Sequence, residues 1–176
     1  MIKKLILASV ISAFGLTGLV SAQTSGSGTL GMSGSVQGSI LVTFTTDTGG
    51  MTVTGTGSSA GTLPFSTIQM YGGSVPGNVT KSLTSNTAFT LSTTVAVQVD
   101  IANATSDNYT LNASLNSADS NHSWKFNGTT LTTTPQAVDS SGTYGQANSY
   151  AVVLGVSASS PASALTNTIN FSAVAN

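Results

Sequence analysis

The chain contains no cysteine, no arginine and no glutamate. Without cysteine there is no disulfide framework, no thiol nucleophile and no thiolate metal site. Cations are as scarce: Lys3, Lys4, Lys81 and Lys125 are the whole set, against Asp47, Asp100, Asp107, Asp119 and Asp139. Neutralising a run of phosphates takes clustered Lys and Arg, so nucleic acid is excluded as a partner. Adhesion to an anionic membrane surface fails for the same reason. Strong helix formers are few, and His122 is the lone histidine.

What is present begins with an export pattern. Lys3 and Lys4 precede an apolar stretch from Leu5 to Val20, closed by the small residues Ser21 and Ala22 and then polar Gln23. Charged, apolar and small-residue regions in that order predict a secretory signal peptide over 1–22, removed on export. The expected location is extracellular, on the cell surface or in the periplasm, with no membrane insertion of the mature chain. Residues 23–29 read as a flexible lead, and 30–176 as a single domain, long enough to bury its own core.

Ser and Thr make up about a third of the residues after position 22, yet apolar residues recur among them with a period of two. From Leu30 the alternation runs through Met32, Gly34, Val36, Gly38, Ile40, Val42 and Phe44 on one face, with Leu41 out of phase. It predicts a long first strand, weakened by its glycines. Met51 to Gly55 and Phe65 to Tyr71 are further expected strands. Phe89 to Ile101, then Tyr109 to Leu115 after an Asp107-Asn108 turn, give the clearest alternation. Trp124 to Phe126 and Thr129 to Thr132 flank Asn127-Gly128, a strong hairpin signal. Tyr150 to Val156 and Ile169 to Ala173 supply the last two strands. Short strands with no helix between them predict an all-β fold, an antiparallel β-sandwich of immunoglobulin-like type.

Motifs for catalysis are absent or accidental. Gly57-Ser58-Ser59-Ala60-Gly61 spells a nucleophile elbow but lacks the following helix, and Gly26 to Gly31 spells a dinucleotide loop without its strand and helix. Asn121-His122 reads as an exposed turn, so that His122, though near Asp119 and Ser123, makes a poor general base. Asp100, Asn103, Asp107 and Asn108 are oxygen donors in no recognised calcium spacing. No enzyme activity, cofactor or metal site is expected. The N-x-S/T matches and Thr-x-Thr pairs follow from composition.

Two binding features remain. Leu30, Met32, Val36, Ile40, Val42 and Phe44 form a candidate assembly strand, able to pair with the edge of another copy by β-strand addition. Trp124 and Tyr144 are candidate ligand contacts, since aromatic platforms suit glycans, although buried aromatics are the default in a sandwich. The signal-peptide pattern, the alternating segment Leu30 to Phe44 and the terminal strand Asn167 to Val174 together resemble fimbrial or spore-coat-like pilin domains. That resemblance implies an immunoglobulin-like fold whose N-terminal segment completes a neighbour's sandwich. The chain departs from many pilins in lacking a cysteine pair, and no residue role is carried over. The expected function is a non-catalytic structural or adhesive protein outside the cell, pilus-like and self-associating. The alternative is a monomeric glycan- or ligand-binding module, and a hydrolase built on Asp pairs ranks last.

Overall fold

Alternation as long as that from Phe89 to Ile101 requires a strand with one face in a core, and it forms the backbone of the fold. The computed structural model describes residues 33–35, 37–47, 52–55, 57, 59–103, 105–159 and 165–176. Chain contacts divide into Met1–Ser35 and Val36–Asn176, and every strand below lies in the second unit. In order these are β1 (Ser39–Thr45), β2 (Thr80–Ser85), β3 (Ala88–Ala102), β4 (Asn108–Leu115), β5 (His122–Phe126), β6 (Thr129–Thr130), β7 (Gln136–Thr143), β8 (Ala147–Ser157) and β9 (Ile169–Ala175).

The strands form two antiparallel sheets, one of six strands and one of three. In the larger, the order is β1-β3-β8-β5-β6, and β2 joins the same edge of β3 as β1 does, further toward its N-terminal end. The smaller has the order β7-β4-β9. Their facing sides carry the apolar half of each alternation. Leu91, Val97 and Val99 of β3, Leu111 of β4 and Leu154 of β8 are all 0 % exposed, each worth roughly 1.5–3 kcal/mol relative to exposure. Among the described residues no helix is long and apolar enough to cross a membrane.

The expected strands after residue 88 are present, and the Asn127-Gly128 turn has the positive φ at both positions that its two-residue loop demands. Three expectations need correction. The first strand starts at Ser39, and described residues 33–35, 37 and 38 lie outside any strand; Leu30, Met32 and Val36 fall outside the described residues. In the 52–55 region a single bridge, Thr54 to Thr62, replaces a strand. Residues 65–71 are irregular: Pro64 cannot donate to a ladder, Ser66 sits at φ 60°, and Gly72 and Gly73 turn the chain with positive φ. Phe65 is nonetheless buried in the core, so this segment acts as a strap from β1 to β2.

Two strands were not expected. β2 (Thr-Lys-Ser-Leu-Thr-Ser) and β7 (Gln-Ala-Val-Asp-Ser-Ser-Gly-Thr) lie at sheet edges. With little surface to bury, neither carries the apolar alternation that marks a strand.

Candidate functional site

The two sheets do not close on each other equally. Ile40, Val42 and Phe44 of β1, and Ile169, Phe171 and Ala173 of β9, point inward but are only half-buried. Between these strands lies a groove of about 1290 Å³. Its floor crosses the large sheet from Ile40, Val42 and Phe44 over Val95 of β3 and Val152 of β8 to Phe126 and Trp124 of β5. One wall is β9 with its approach from Leu165, and the other is the strap from Ser59 to Ile68. The ring of Phe171 stands edge-on to both Phe44, at 5.3 Å between centroids, and Phe126, at 4.9 Å.

None of the described lining residues is charged, and the polar ones are Ser, Thr and Asn. Such a surface favours an apolar occupant and offers a charged one no partner. The sheet edges single out the same place. Exposed edges in natural sheets are blunted by bulges, charges or shortness. Here β2 carries Lys81 and an irregularity between Leu83 and Ser85, β6 has two residues, and β7 has two register shifts against β4 together with Asp139. By contrast, β1 pairs with β3, and β9 with β4, over seven consecutive residues without a shift, and neither strand contains a charge or a proline. Gly57 N–H donates to the Phe44 carbonyl of β1, so the unblunted edge beside the groove is that of β9.

Trp124 closes the groove at β5 and is 5 % exposed. Its position is set by Asp119, which lies in the loop before β5. Oδ2 of Asp119 accepts the indole Nε1–H at 2.7 Å and His122 Nδ1–H at 2.9 Å, while Oδ1 accepts the backbone N–H groups of Asn121 and His122, each at 3.0 Å. Burial pushes this carboxyl up, but the hydrogen bonds from Trp124, His122 and the two backbone groups prevail and hold it at about 2, below the ordinary 3.8. An ionised Asp119 can only accept, so His122 carries its proton on Nδ1.

His122 is therefore no exposed turn residue. It is the first residue of β5, its side chain is 6 % exposed, and it is tethered to Asp119. Nε2, the atom that would take a proton from a nucleophile, is buried without a partner. Ser123 is exposed on β5, whereas the next residue, Trp124, points into the core. No group of three or more His, Asp or Glu among the described residues is arranged to hold a metal.

Of the residues singled out from the sequence, the structure thus brings Ile40, Val42, Phe44 and Trp124 into one groove. It places Ile40, Val42 and Phe44 in β1, paired with β3 of the same chain. Tyr144 lies elsewhere, half-buried with its ring 5.2 Å from that of Tyr109 and its hydroxyl buried without a partner. Phe171, Phe65 and Asp119 were not singled out as site residues. Phe171 was visible as part of an alternating strand, whereas nothing local marks Asp119 as the anchor of Trp124. No protein-family model matches the chain, and neither a curated protein nor a solved structure does.

Proposed function

We propose that this protein is an exported structural subunit that self-associates by β-strand addition. In this reading a segment of a second copy lies along β9 and lowers alternate side chains into the groove. The observation that carries it is the pairing of an unblunted, charge-free β9 edge with an uncharged apolar groove directly beside it. Main-chain hydrogen bonds to the edge would supply affinity, and the side-chain contacts below would supply specificity.

The donating segment is the part of the chain ahead of β1, residues 23–38, in which Leu30, Met32 and Val36 alternate with small or polar residues. Because Ile40, Val42 and Phe44 belong to the chain's own sheet, they act on the receiving side of the groove. Donor and groove are both uncharged, and two such surfaces approach without electrostatic repulsion. The pairing of a six-stranded with a three-stranded sheet supports an immunoglobulin-like, pilin-like reading, in which the incoming strand becomes the fourth of the smaller sheet. The signal-peptide pattern at 1–22 supports assembly outside the cytoplasm.

The glycan-binding alternative leaned on Trp124 and Tyr144, and neither ring forms an open platform: one is 5 % exposed and the other half-buried against Tyr109. The test is the mass in solution of the purified chain from residue 23 onward, by size exclusion with light scattering, beside a variant lacking 23–38. Polymers from the first and monomers from the second are expected. A first form that stays monomeric at every concentration overturns the reading.

A further inference from the structure

Ladder positions place Trp124 and Ile40 at opposite ends of the groove. Ile40 pairs with Ile101 of β3, whereas Trp124 is level with Leu91 of β3 through Leu154 of β8. Ten residues of one strand separate Ile101 from Leu91, a run of roughly 33 Å at about 3.3 Å per residue. The two ends are therefore offset by about ten residues along the strand direction, a run that the sixteen residues of 23–38 can span. Its Ile40 end is lined by aliphatic side chains, and its far end is closed by an indole.

A buried indole settles in the orientation that gives its N–H a partner. Here it is held by Asp119, whose two oxygens accept four N–H groups, two of them from the backbone of Asn121 and His122. The carboxylate lies 11 % exposed and shares its loop with no groove-lining residue. Asp119 thus reaches the groove only through Trp124.

We infer that Asp119 is a positioning residue that fixes Trp124 as an end stop and so sets the register of the strand entering the groove. A strand that alternates apolar and polar residues fits one face of a sheet in any register displaced by two residues, so the alternation alone does not choose among them. A fixed wall at one end does. In the segment before β1, Leu30, Met32 and Val36 differ in bulk and Gly34 interrupts them, so that each displacement by two residues presents a different side chain to the indole. This inference rests on the strand-addition reading and adds to it the element that selects among registers.

Trp124 is the single tryptophan of the chain, which makes the test direct. A labelled synthetic peptide of residues 28–38 is titrated into the full chain and followed by anisotropy, with Trp124 emission and acrylamide quenching recorded in parallel. For the native sequence, saturable binding with reduced quenching of Trp124 is expected. Asp119→Ala should weaken binding at least tenfold and remove the change in quenching. Asp119→Asn, which keeps an acceptor for the indole, should recover most of both. Trp124→Phe, read by anisotropy alone, should match the alanine variant, and it covers the case in which Asp119→Ala does not fold. Peptides displaced by two residues in either direction should bind the native chain more weakly and the Trp124→Phe variant about equally. Equal binding by all variants, or the same preference for one displacement with and without Trp124, overturns the inference and leaves strand addition standing. Absence of any binding by the native chain overturns strand addition itself.

Discussion

Tyr150 of β8 donates its hydroxyl to the Asp139 carboxylate of β7 at 2.6 Å, joining the larger sheet to the edge strand of the smaller one. The bond belongs to a chain of polar groups inside the domain. Asn148 donates to the Tyr109 hydroxyl at 3.0 Å, and that hydroxyl lies 3.4 Å from Tyr150 Oη. Burial first, then the hydrogen bonds to Asp139 and Tyr109, push the Tyr150 phenol far above its ordinary range, so it is a donor at neutral pH. Tyr150→Phe keeps the ring contact with Phe126, 5.4 Å between centroids, and removes the hydroxyl's bonds to Asp139 and Tyr109. A loss of about 1–2 kcal/mol is expected, read from urea unfolding with an unchanged slope.

Gly142 of β7 faces Tyr109 so closely that a Cβ at this position would overlap the ring. Tyr109 is 0 % exposed and has nowhere to move. Gly142→Ala should therefore destabilise through crowding, by about 1–3 kcal/mol, even though alanine restricts the unfolded chain more than glycine does. Thermal unfolding of the variant beside Gly128→Ala, where no atom lies within 4 Å of the added carbon but φ is 80°, separates crowding from backbone strain.

Acid should loosen the loop that anchors Trp124. The Asp119 carboxyl titrates at about 2 in the fold against an ordinary 3.8, so the unfolded chain takes up the proton first. The stabilisation it supplies is complete above 3.8 and is lost as pH falls toward 2. Unfolding free energies of the native chain and Asp119→Asn, measured across that window, should converge as the pH drops. At neutral pH, Asp119→Ala should cost about 2 kcal/mol, since it strands a buried indole N–H. A gap between native and Asn variants that stays constant with pH would show that the carboxylate charge contributes nothing.

Ala173 points inward from the β9 edge and is half-buried. Ala173→Lys places a charge where natural edge strands carry one to deter pairing. The expected outcome is a chain that remains folded by circular dichroism and fails to polymerise in light scattering. Ser172→Lys on the exposed face of the same strand should interfere much less.

How much of this was legible in the sequence depends on where each strand sits. β3, β4, β8 and β9 press one face into the core, and their alternation declares them. Asn127-Gly128 declares its hairpin through backbone chemistry alone. β2 and β7 lie at edges, and their Ser- and Thr-rich composition resembles that of loops. Phe65 to Tyr71 misled in the opposite sense, because its buried Phe65 belongs to an irregular strap whose shape depends on Pro64, Ser66 and two glycines. The groove was beyond reach for a further reason. It exists because β1 pairs with β3 while β9 pairs with β4, and neither pairing leaves a mark in the strand's own residues.

The way β1 and β2 share one edge of β3 carries a consequence for any assembly. The chain leaves that edge after Thr45, travels as the strap, and returns to it at Thr80, so the larger sheet ends in two short pieces instead of one continuous border. In the proposed assembly, contact between copies uses a socket and a plug that are different parts of the molecule. Copies joined in that manner are related head to tail, and an open row of them has one end that receives and one that gives. Growth at such a row is vectorial, and its first and last members are chemically distinct.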